Sequence, residues 1–147
     1  MIQLPPDFKE FLKLLNEKKI EYLVIGGYAV GYHGYIRATG DIDVWVAPKP
    51  ENAVKTVSAL REFGFDMPDS AEKLLLAPEN ILRMGVPPVR IEVLSSVSGV
   101  SFDQCYAERV IAVIEDVEAP IISLRHLKIN KRAAGRPKDL VDVEHLP

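Results

Sequence analysis

The sequence predicts an α/β (α+β) fold in which helices flank a mixed β-sheet of about five strands. Apolar residues recur at helical spacing in several segments, and short runs rich in β-branched residues lie between those segments. Glycine or proline stands at many of the boundaries between the two kinds of segment. Helices and strands therefore alternate along the chain, which is typical of this class.

The amino-terminal half predicts a first amphipathic helix followed by two strand and helix pairs. Pro5-Pro6 precede the first helix, and Gly26-Gly27 end the first strand. Gly64 stands where the third helix is expected to end in a left-handed cap. In chain order the predicted elements are helix 6–18, strand 22–25, helix 28–33, strand 41–46 and helix 50–63.

The carboxy-terminal half predicts shorter elements. Pro87-Pro88 separate two apolar strands, and Gly135 ends a helix. Pro137 then begins a last helix, because proline fits the first helical position. The predicted elements are helix 70–77, strands 80–85 and 89–94, helix 101–107, strands 109–114 and 117–121, and helices 124–134 and 137–144.

Length and composition predict one domain over residues 1–147. The chain has 147 residues, of which 48% are hydrophobic, and this is enough to bury a core without cross-links. Its one cysteine excludes an internal disulfide, and no cysteine and histidine cluster has zinc spacing. We find no secretory signal and no apolar run of membrane length, so we expect a cytoplasmic protein with no membrane partner.

Charge is distributed unevenly along the chain. The formal net charge of -3 argues against a surface that coats nucleic acid. Residues 125–138 nevertheless contain six basic residues and no acid. A local anion site in this segment is one interpretation, and a solvated helix face is the other.

The strand at 41–46 places two acids on one face. Side chains two residues apart on a strand point the same way, roughly 6.6 Å apart along the backbone, so Asp41 and Asp43 form a pair. Converging carboxylates repel one another unless a cation or a proton neutralises them. A ligand set made only of oxygen favours Mg²⁺ or Mn²⁺. A bare pair of this kind is also typical of the solvated face of an edge strand.

The context of this pair resembles a known superfamily. The segment GGYAVGYHGYIRATGDIDVWV, followed by RIEVLSSVSGVSF and LKINKRAAGRPKDLVDVEHL, is similar to the nucleotidyltransferase superfamily that includes DNA polymerase β-like enzymes. More narrowly, it resembles small nucleotidyltransferase-like proteins related to the toxins of abortive-infection toxin-antitoxin pairs. The resemblance covers most of residues 20–146. Phosphate-binding loop and dinucleotide-binding motifs are absent from the glycine-rich segment 26–31.

The resemblance implies a catalytic and metal-binding role for Asp41, Asp43 and Glu92, which would hold two divalent ions. Glu92 could also deprotonate an attacking hydroxyl. Gly26 and Gly27 would let the backbone approach a nucleoside triphosphate, although a plain turn between strand and helix explains them as well.

Basic and hydroxyl side chains complete the nucleotide-binding set that this resemblance implies. Arg37 and Thr39 precede the acids and would contact phosphate or acceptor, while a solvated loop charge is the alternative for Arg37. Lys131, Lys138 and Asp139 match a lysine-rich motif of the related toxins.

Histidine and aromatic residues near the motif are interpreted as structural. His33 is more typical of capping or packing than of a catalytic base. Trp45, Tyr28 and Tyr32 favour packing over stacking on a nucleobase.

The function implied is transfer of a nucleoside monophosphate from a nucleoside triphosphate to a hydroxyl acceptor. The acceptor stays open among RNA such as tRNA, a protein and a small molecule. A homodimer or a partner protein would complete acceptor binding, because the chain is short. The alternative is a non-catalytic nucleotide-binding or regulatory module with the same fold.

Overall fold

The computed structural model describes residues 3–147 and has strands and helices where the sequence predicts them. The second helix begins at Gly26, two residues before its predicted start. The elements are α1 (Pro6–Glu17), β1 (Tyr22–Ile25), α2 (Gly26–Tyr32), β2 (Asp41–Val46), α3 (Pro50–Glu62), α4 (Ala71–Leu76), β3 (Ile81–Met84), β4 (Arg90–Leu94), α5 (Phe102–Ala107), β5 (Val110–Ile114), β6 (Val117–Ile121), α6 (Leu124–Ala134) and α7 (Pro137–His145).

The strands form one mixed sheet in the order β3-β4-β2-β1-β6-β5. Strand β2 pairs antiparallel with β1 and parallel with β4, and β1 pairs parallel with β6. The outer strands β3 and β5 each pair antiparallel with a neighbour. The predicted fold class is confirmed, and the sheet has six strands where about five were expected.

Helix ends follow the local chemistry of the sequence. Pro50 occupies the first turn of α3, and the chain leaves that helix through Gly64 at a φ of 112°. Helix α6 begins where the Ser123 hydroxyl accepts a hydrogen bond from the amide of His126, and it ends at Gly135 in the left-handed region. Over residues 3–147, no helix is both long enough and apolar enough to cross a membrane.

The core occupies both faces of the central strands. The apolar stripe of α1 is buried in it, as predicted, and consists of Phe8, Phe11, Leu12 and Leu15. Trp45 is also buried and meets Phe102 edge-on, with the ring centroids 5.2 Å apart. Tyr28 is buried against Phe8 at a centroid distance of 5.8 Å. Packing is therefore the role of Trp45 and Tyr28, and neither ring is free to stack on a base.

The burial of Trp45 confines the polar part of β2 to its first residues. Ile42, Val44 and Val46 are buried on the opposite face, so only Asp41 and Asp43 leave the core. The side chains that the sequence places on one face of β2 thus divide into a polar end and an apolar end. The polar end is where β2 meets the turn between β1 and α2.

A buried amide clamps the apolar end of the same strand pair. Asn52 on α3 accepts a hydrogen bond from the Glu21 amide at 2.8 Å and donates to the Glu21 carbonyl at 3.0 Å and the Ala47 carbonyl at 3.1 Å. Asn52 is buried, so its side-chain amide depends on these partners for its hydrogen bonds. It therefore fixes the start of β1 against the end of β2.

Replacing this amide should destabilise the protein measurably. We expect Asn52→Ala to lower the free energy of unfolding by about 2 kcal/mol, because the Glu21 amide loses its acceptor and two carbonyls lose their donor. Lys55→Ala, on the exposed face of the same helix, should change it by less than about 0.5 kcal/mol. Urea titrations of both variants measure the effect, and equal midpoints would show that the clamp contributes nothing.

Candidate active site

A cleft of about 660 Å³ opens where the polar end of β2 meets the carboxy-terminal helices. Its walls come from the turn between β1 and α2, from β2, β3 and β4, and from α6 and α7. Every site residue proposed from the sequence lines it: Gly26, Gly27, Arg37, Thr39, Asp41, Asp43, Glu92, Lys131, Lys138 and Asp139.

The strand register brings the three acids together. Asp43 on β2 lies opposite Glu92 on the parallel strand β4, and Asp41 lies two residues before Asp43 on the same face. One carboxylate oxygen from each of the three residues lies within 4.8 Å of the others. Three negative groups this close would repel strongly if they remained without counter-charge.

Asp43 is the most enclosed of the three acids. Its Oδ1 atom is buried and has no hydrogen-bond partner among residues 3–147. Burial, and then the neighbouring charge of Glu92, raises the pKa of Asp43 to about 7. Without a cation, this carboxylate therefore takes up a proton as the pH falls through about 7.

The two glycines after β1 make room for this arrangement. Gly26 has a φ of 68°, and a Cβ atom there would lie 2.0 Å from Asp43 Oδ2. A Cβ atom on Gly27 would lie 2.7 Å from Thr39 Oγ1. Thr39 in turn donates a hydrogen bond to the Asp41 carbonyl at 3.2 Å. Close packing against Asp43 and Thr39 thus requires glycine at both positions, whether or not a phosphate approaches them.

Two arginines that the sequence analysis did not assign neutralise the outer acids. Arg90 donates from Nε to Asp41 Oδ1 at 2.8 Å and from Nη2 to Asp41 Oδ2 at 3.0 Å. Arg83 on β3 donates from Nε to Glu92 Oε1 at 3.0 Å. Arg90 stands two residues before Glu92 on the same strand face, and this spacing is the sequence signal that could have placed Arg90 beside the acids. Arg83 meets Glu92 only because β3 pairs with β4, and the sequence alone does not give that pairing.

A second charge cluster lies at the junction of α6 and α7. Lys131 is buried, with its Nζ 3.2 Å from Asp139 Oδ1 and 3.1 Å from Asp142 Oδ2. Arg37 donates from Nε and Nη2 to the two oxygens of Asp142 at 2.8 and 2.9 Å, and Arg136 binds Asp139 through Nε at 2.7 Å. Lys131 is thus enclosed by carboxylates and does not lie on a solvated helix face, and the guanidinium of Arg37 does not project freely as a loop charge.

The same contacts keep both aspartates of this cluster ionised. Burial by itself raises the pKa of Asp139, but hydrogen bonds from Arg136 and Lys131 outweigh it and hold the pKa below its usual range. Burial and hydrogen bonds from Arg37 and Lys131 act on the pKa of Asp142 in the same way, again with a net lowering. Asp142 lies about one helical turn after Asp139 on α7. From the sequence, this spacing would have predicted that the two side chains share a helix face.

Lys138 differs from the other basic residues of the cleft. It is exposed, it lines the cleft, and residues 3–147 contain no carboxylate within ion-pair distance of it. Its ammonium group is thus available to an incoming anion. Lys131, in contrast, is committed to Asp139 and Asp142.

His33 has a structural contact. Its Nε2 donates a hydrogen bond to the Ile122 carbonyl at 2.7 Å, linking the end of α2 to the residue after β6. It is not among the residues that line the cleft. Packing therefore accounts for His33, as the sequence favoured over catalysis.

The donor set at the acids fits a divalent cation. Its atoms are all carboxylate oxygens, which suit Mg²⁺ and Mn²⁺, and Asp43 offers a buried oxygen that lacks a partner among the described residues. No cysteine or histidine belongs to this set.

Comparison with known proteins identifies a family and a fold. The sequence profile of the family described as "Nucleotidyltransferase of unknown function (DUF6036)" matches residues 6–146. A search of curated protein sequences finds no match.

Two solved structures share the fold. TM1012 from Thermotoga maritima, provisionally assigned as a nucleotidyltransferase, aligns over 93% of this chain and 88% of its own, with a TM-score of 0.63 and 14% identity. The lincosamide antibiotic adenylyltransferase LnuA, solved with lincomycin bound, aligns over 97% of this chain and 96% of its own, with a TM-score of 0.61 and 13% identity. These likenesses establish the nucleotidyltransferase fold that the sequence resemblance implied.

Stability without metal should fall as the pH rises through the pKa of Asp43. The folded-state pKa of about 7 exceeds the usual value of 3.8, so the folded chain binds the proton more tightly than the unfolded chain. The resulting contribution to the free energy of unfolding is complete below about pH 4 and is lost as the pH rises to about 7. Urea unfolding in chelator should therefore show wild type losing stability relative to Asp43→Asn between about pH 4 and pH 7. Parallel pH profiles for the two proteins would contradict this expectation.

Replacing Lys131 should destabilise the protein, whereas replacing Lys138 should not. We expect Lys131→Met to lower the free energy of unfolding by about 3 kcal/mol, because two buried carboxylates lose a shared cation. Lys138→Met should change it by less than about 0.5 kcal/mol, because the side chain is exposed. Urea titration measures both. Equal losses would mean that Lys131 is not the structural member of the pair.

Proposed function

The chain belongs to the family of nucleotidyltransferases of unknown function (DUF6036), and from that premise we propose a metal-dependent transfer of a nucleoside monophosphate. The donor is a nucleoside triphosphate, and the acceptor is a hydroxyl group. Membership of the family supports nucleotidyl transfer as the class of activity. The metal dependence and the roles of individual residues are our proposal.

One observation is central to the proposal. Asp41, Asp43 and Glu92 offer oxygens within 4.8 Å of one another, and the buried Asp43 Oδ1 has no partner within residues 3–147. A purely structural acid cluster would be expected to pair each buried oxygen with a donor. The free oxygen at the centre of the cluster supports the binding of a cation there.

Asp41, Asp43 and Glu92 would hold the divalent ions, with Asp43 nearest the centre of the set. When bound, Mg²⁺ or Mn²⁺ supplies charge stabilisation for the attacking and leaving oxygens of an in-line displacement. Thr39 and Gly26 position Asp41 and Asp43 for this role through the contacts described above. Thr39 and Gly26 would therefore contribute by orienting the carboxylates.

The reaction would form a bond from the acceptor oxygen to the α-phosphorus and break the bond from that phosphorus to the oxygen bridging to the β-phosphate. The acceptor hydroxyl loses a proton, for which Glu92 is the proposed base. Pyrophosphate is the leaving group and carries negative charge away from the α-phosphorus. Lys138 lines the same cleft with an exposed ammonium group and would bind this end of the triphosphate.

Arg37 and Lys131 would act at a distance from the phosphates through the charge cluster. Arg37 holds Asp142, and Lys131 holds Asp139 and Asp142, so these four side chains tie α6 and α7 to the loop before β2. That loop contains Thr39 and leads directly to Asp41. The cluster would keep Lys138, next to Asp139, at the mouth of the cleft.

The acceptor is proposed only by chemical class. LnuA, which has the same fold, is an adenylyltransferase of lincosamide antibiotics, and this supports a small molecule with a hydroxyl group as one acceptor. RNA such as tRNA and a protein hydroxyl are the other acceptor classes that we propose. A homodimer or a partner protein would supply acceptor contacts beyond the cleft.

A non-catalytic nucleotide-binding or regulatory module is the second candidate. It is favoured by the two arginine and carboxylate pairs, which neutralise Asp41 and Glu92 without any metal. Such a module would bind nucleotide but release no pyrophosphate. Pyrophosphate release with a panel of RNA, protein and small-molecule acceptors separates the two candidates.

Asp43→Asn should abolish metal-dependent nucleotide binding while the protein remains folded. Asparagine removes the charge that attracts the cation, yet it has nearly the same shape as the protonated acid. Calorimetric titration of ATP, GTP, CTP and UTP with Mg²⁺ or Mn²⁺ should show binding to wild type that requires the metal and disappears in this variant. The nucleotide that binds most tightly would then serve as donor.

Asp103→Asn is the matched control for this titration. Asp103 lies on α5, outside the cleft, so its variant should bind nucleotide as wild type does. Metal-dependent binding that persists in Asp43→Asn would refute the metal role of Asp43. Unfolding of Asp43→Asn would instead reveal a structural role for that carboxylate.

A further inference from the structure

We infer that Arg90 is an internal counter-ion of the metal site, which leaves Asp41 when a divalent cation binds and then becomes a ligand of the triphosphate. This inference rests on the proposed function, because it concerns the same cleft. It assigns to Arg90 a role that neither the motif nor the family description contains. The chemical group recognised is the polyphosphate, and the nucleobase plays no part.

The position of Arg90 follows from the pairing of β2 with β4. Arg90 lies opposite Asp41 in the parallel register, just as Glu92 lies opposite Asp43. Arg83 on β3 lies opposite Glu92. Each arginine therefore faces an acid on the neighbouring strand, whereas Asp43 and Glu92 face each other.

The two arginines bind only the outer acids. Arg90 occupies both oxygens of Asp41, at 2.8 and 3.0 Å, and its Nε is 3.6 Å from Glu92 Oε1. Arg83 occupies Glu92 Oε1 at 3.0 Å. Asp43, between them, receives no guanidinium within residues 3–147. The fold thus supplies positive charge to the edge of the acid set and leaves its centre without any.

Arg90 and a metal ion compete for the same oxygens. A fork of two charge-assisted hydrogen bonds uses the lone pairs through which Asp41 would bind a cation. The guanidinium and the cation also repel each other at such short range. Binding of a cation by Asp41 therefore requires Arg90 to release at least one oxygen.

Arg90 is partly exposed, and a polyphosphate entering the cleft would offer it a second partner. Its side chain is 34% exposed and that of Arg83 is 60% exposed, and both line the cleft. The side-chain partners of Arg90 among the described residues are the two carboxylates alone. A planar guanidinium matches two phosphate oxygens as well as it matches a carboxylate, so an incoming triphosphate offers Arg90 an equivalent partner. Metal and polyphosphate should then bind cooperatively.

Opposite effects on two affinities would test this inference. We expect Arg90→Gln to bind Mn²⁺ alone about tenfold more tightly, because the competing cation is gone. The same variant should bind the Mn²⁺ complex of inorganic triphosphate about tenfold more weakly, because a phosphate ligand is gone. Electron paramagnetic resonance of free Mn²⁺ measures the first affinity, and calorimetry measures the second.

Three variants serve as controls. Arg90→Lys keeps the charge without the fork and should lie between wild type and Arg90→Gln in both affinities. Arg125→Gln removes an arginine and carboxylate pair outside the cleft, formed with Glu108 at 2.8 Å, and should change neither affinity. Asp43→Asn should lose Mn²⁺ binding altogether. Urea unfolding in chelator verifies that each variant is folded.

Two results would overturn the inference while leaving the proposed function intact. Unchanged or weaker Mn²⁺ binding by Arg90→Gln would show that Arg90 does not compete with the metal. Tighter binding of both Mn²⁺ and its triphosphate complex would show that Arg90 only blocks the site. Absence of Mn²⁺ binding in wild type and in every variant would instead overturn the proposed function, and this inference with it.

Discussion

Repulsion among three carboxylates is the constraint on which the rest of the site depends. Two unit charges about 4 Å apart repel by about 4 kcal/mol at the effective dielectric of a protein surface. Asp41, Asp43 and Glu92 lie within such distances because the register of β2 against β4 places them there. The strands are anchored by their buried apolar residues, so the acids cannot move apart without disturbing the core.

The surrounding residues respond to that charge in two different ways. Arg83 and Arg90 neutralise the outer acids directly, and burial raises the pKa of Asp43 to about 7, so that it takes up a proton as the pH falls through neutrality. Each response is compatible with binding a cation, because protons and guanidinium groups are exchangeable. A fixed apolar cover over the acids would not be compatible with binding a cation. The cleft thus keeps its charge balanced by a titratable proton and by partly exposed guanidinium groups.

The second charge cluster has a different physical character. Lys131 and Asp139 are almost completely buried, and the side chain of Lys131 is only 6% exposed. Buried ion pairs stabilise little against an apolar alternative, but losing one partner is costly. The cluster therefore fixes the geometry between α6, α7 and the loop that contains Arg37. It gives the basic carboxy-terminal segment a structural role.

The sequence by itself determined the helices and strands, the fold class and the acids that share a face of β2. Those features depend on local periodicity and on turn residues, which the sequence displays directly. Only the tertiary structure decided that Arg90 neutralises Asp41, that Lys131 is buried between two aspartates, and that Gly26 is required by the carboxylate of Asp43. These contacts join residues on different elements of the fold, and their geometry depends on strand register and helix packing, which local patterns do not encode.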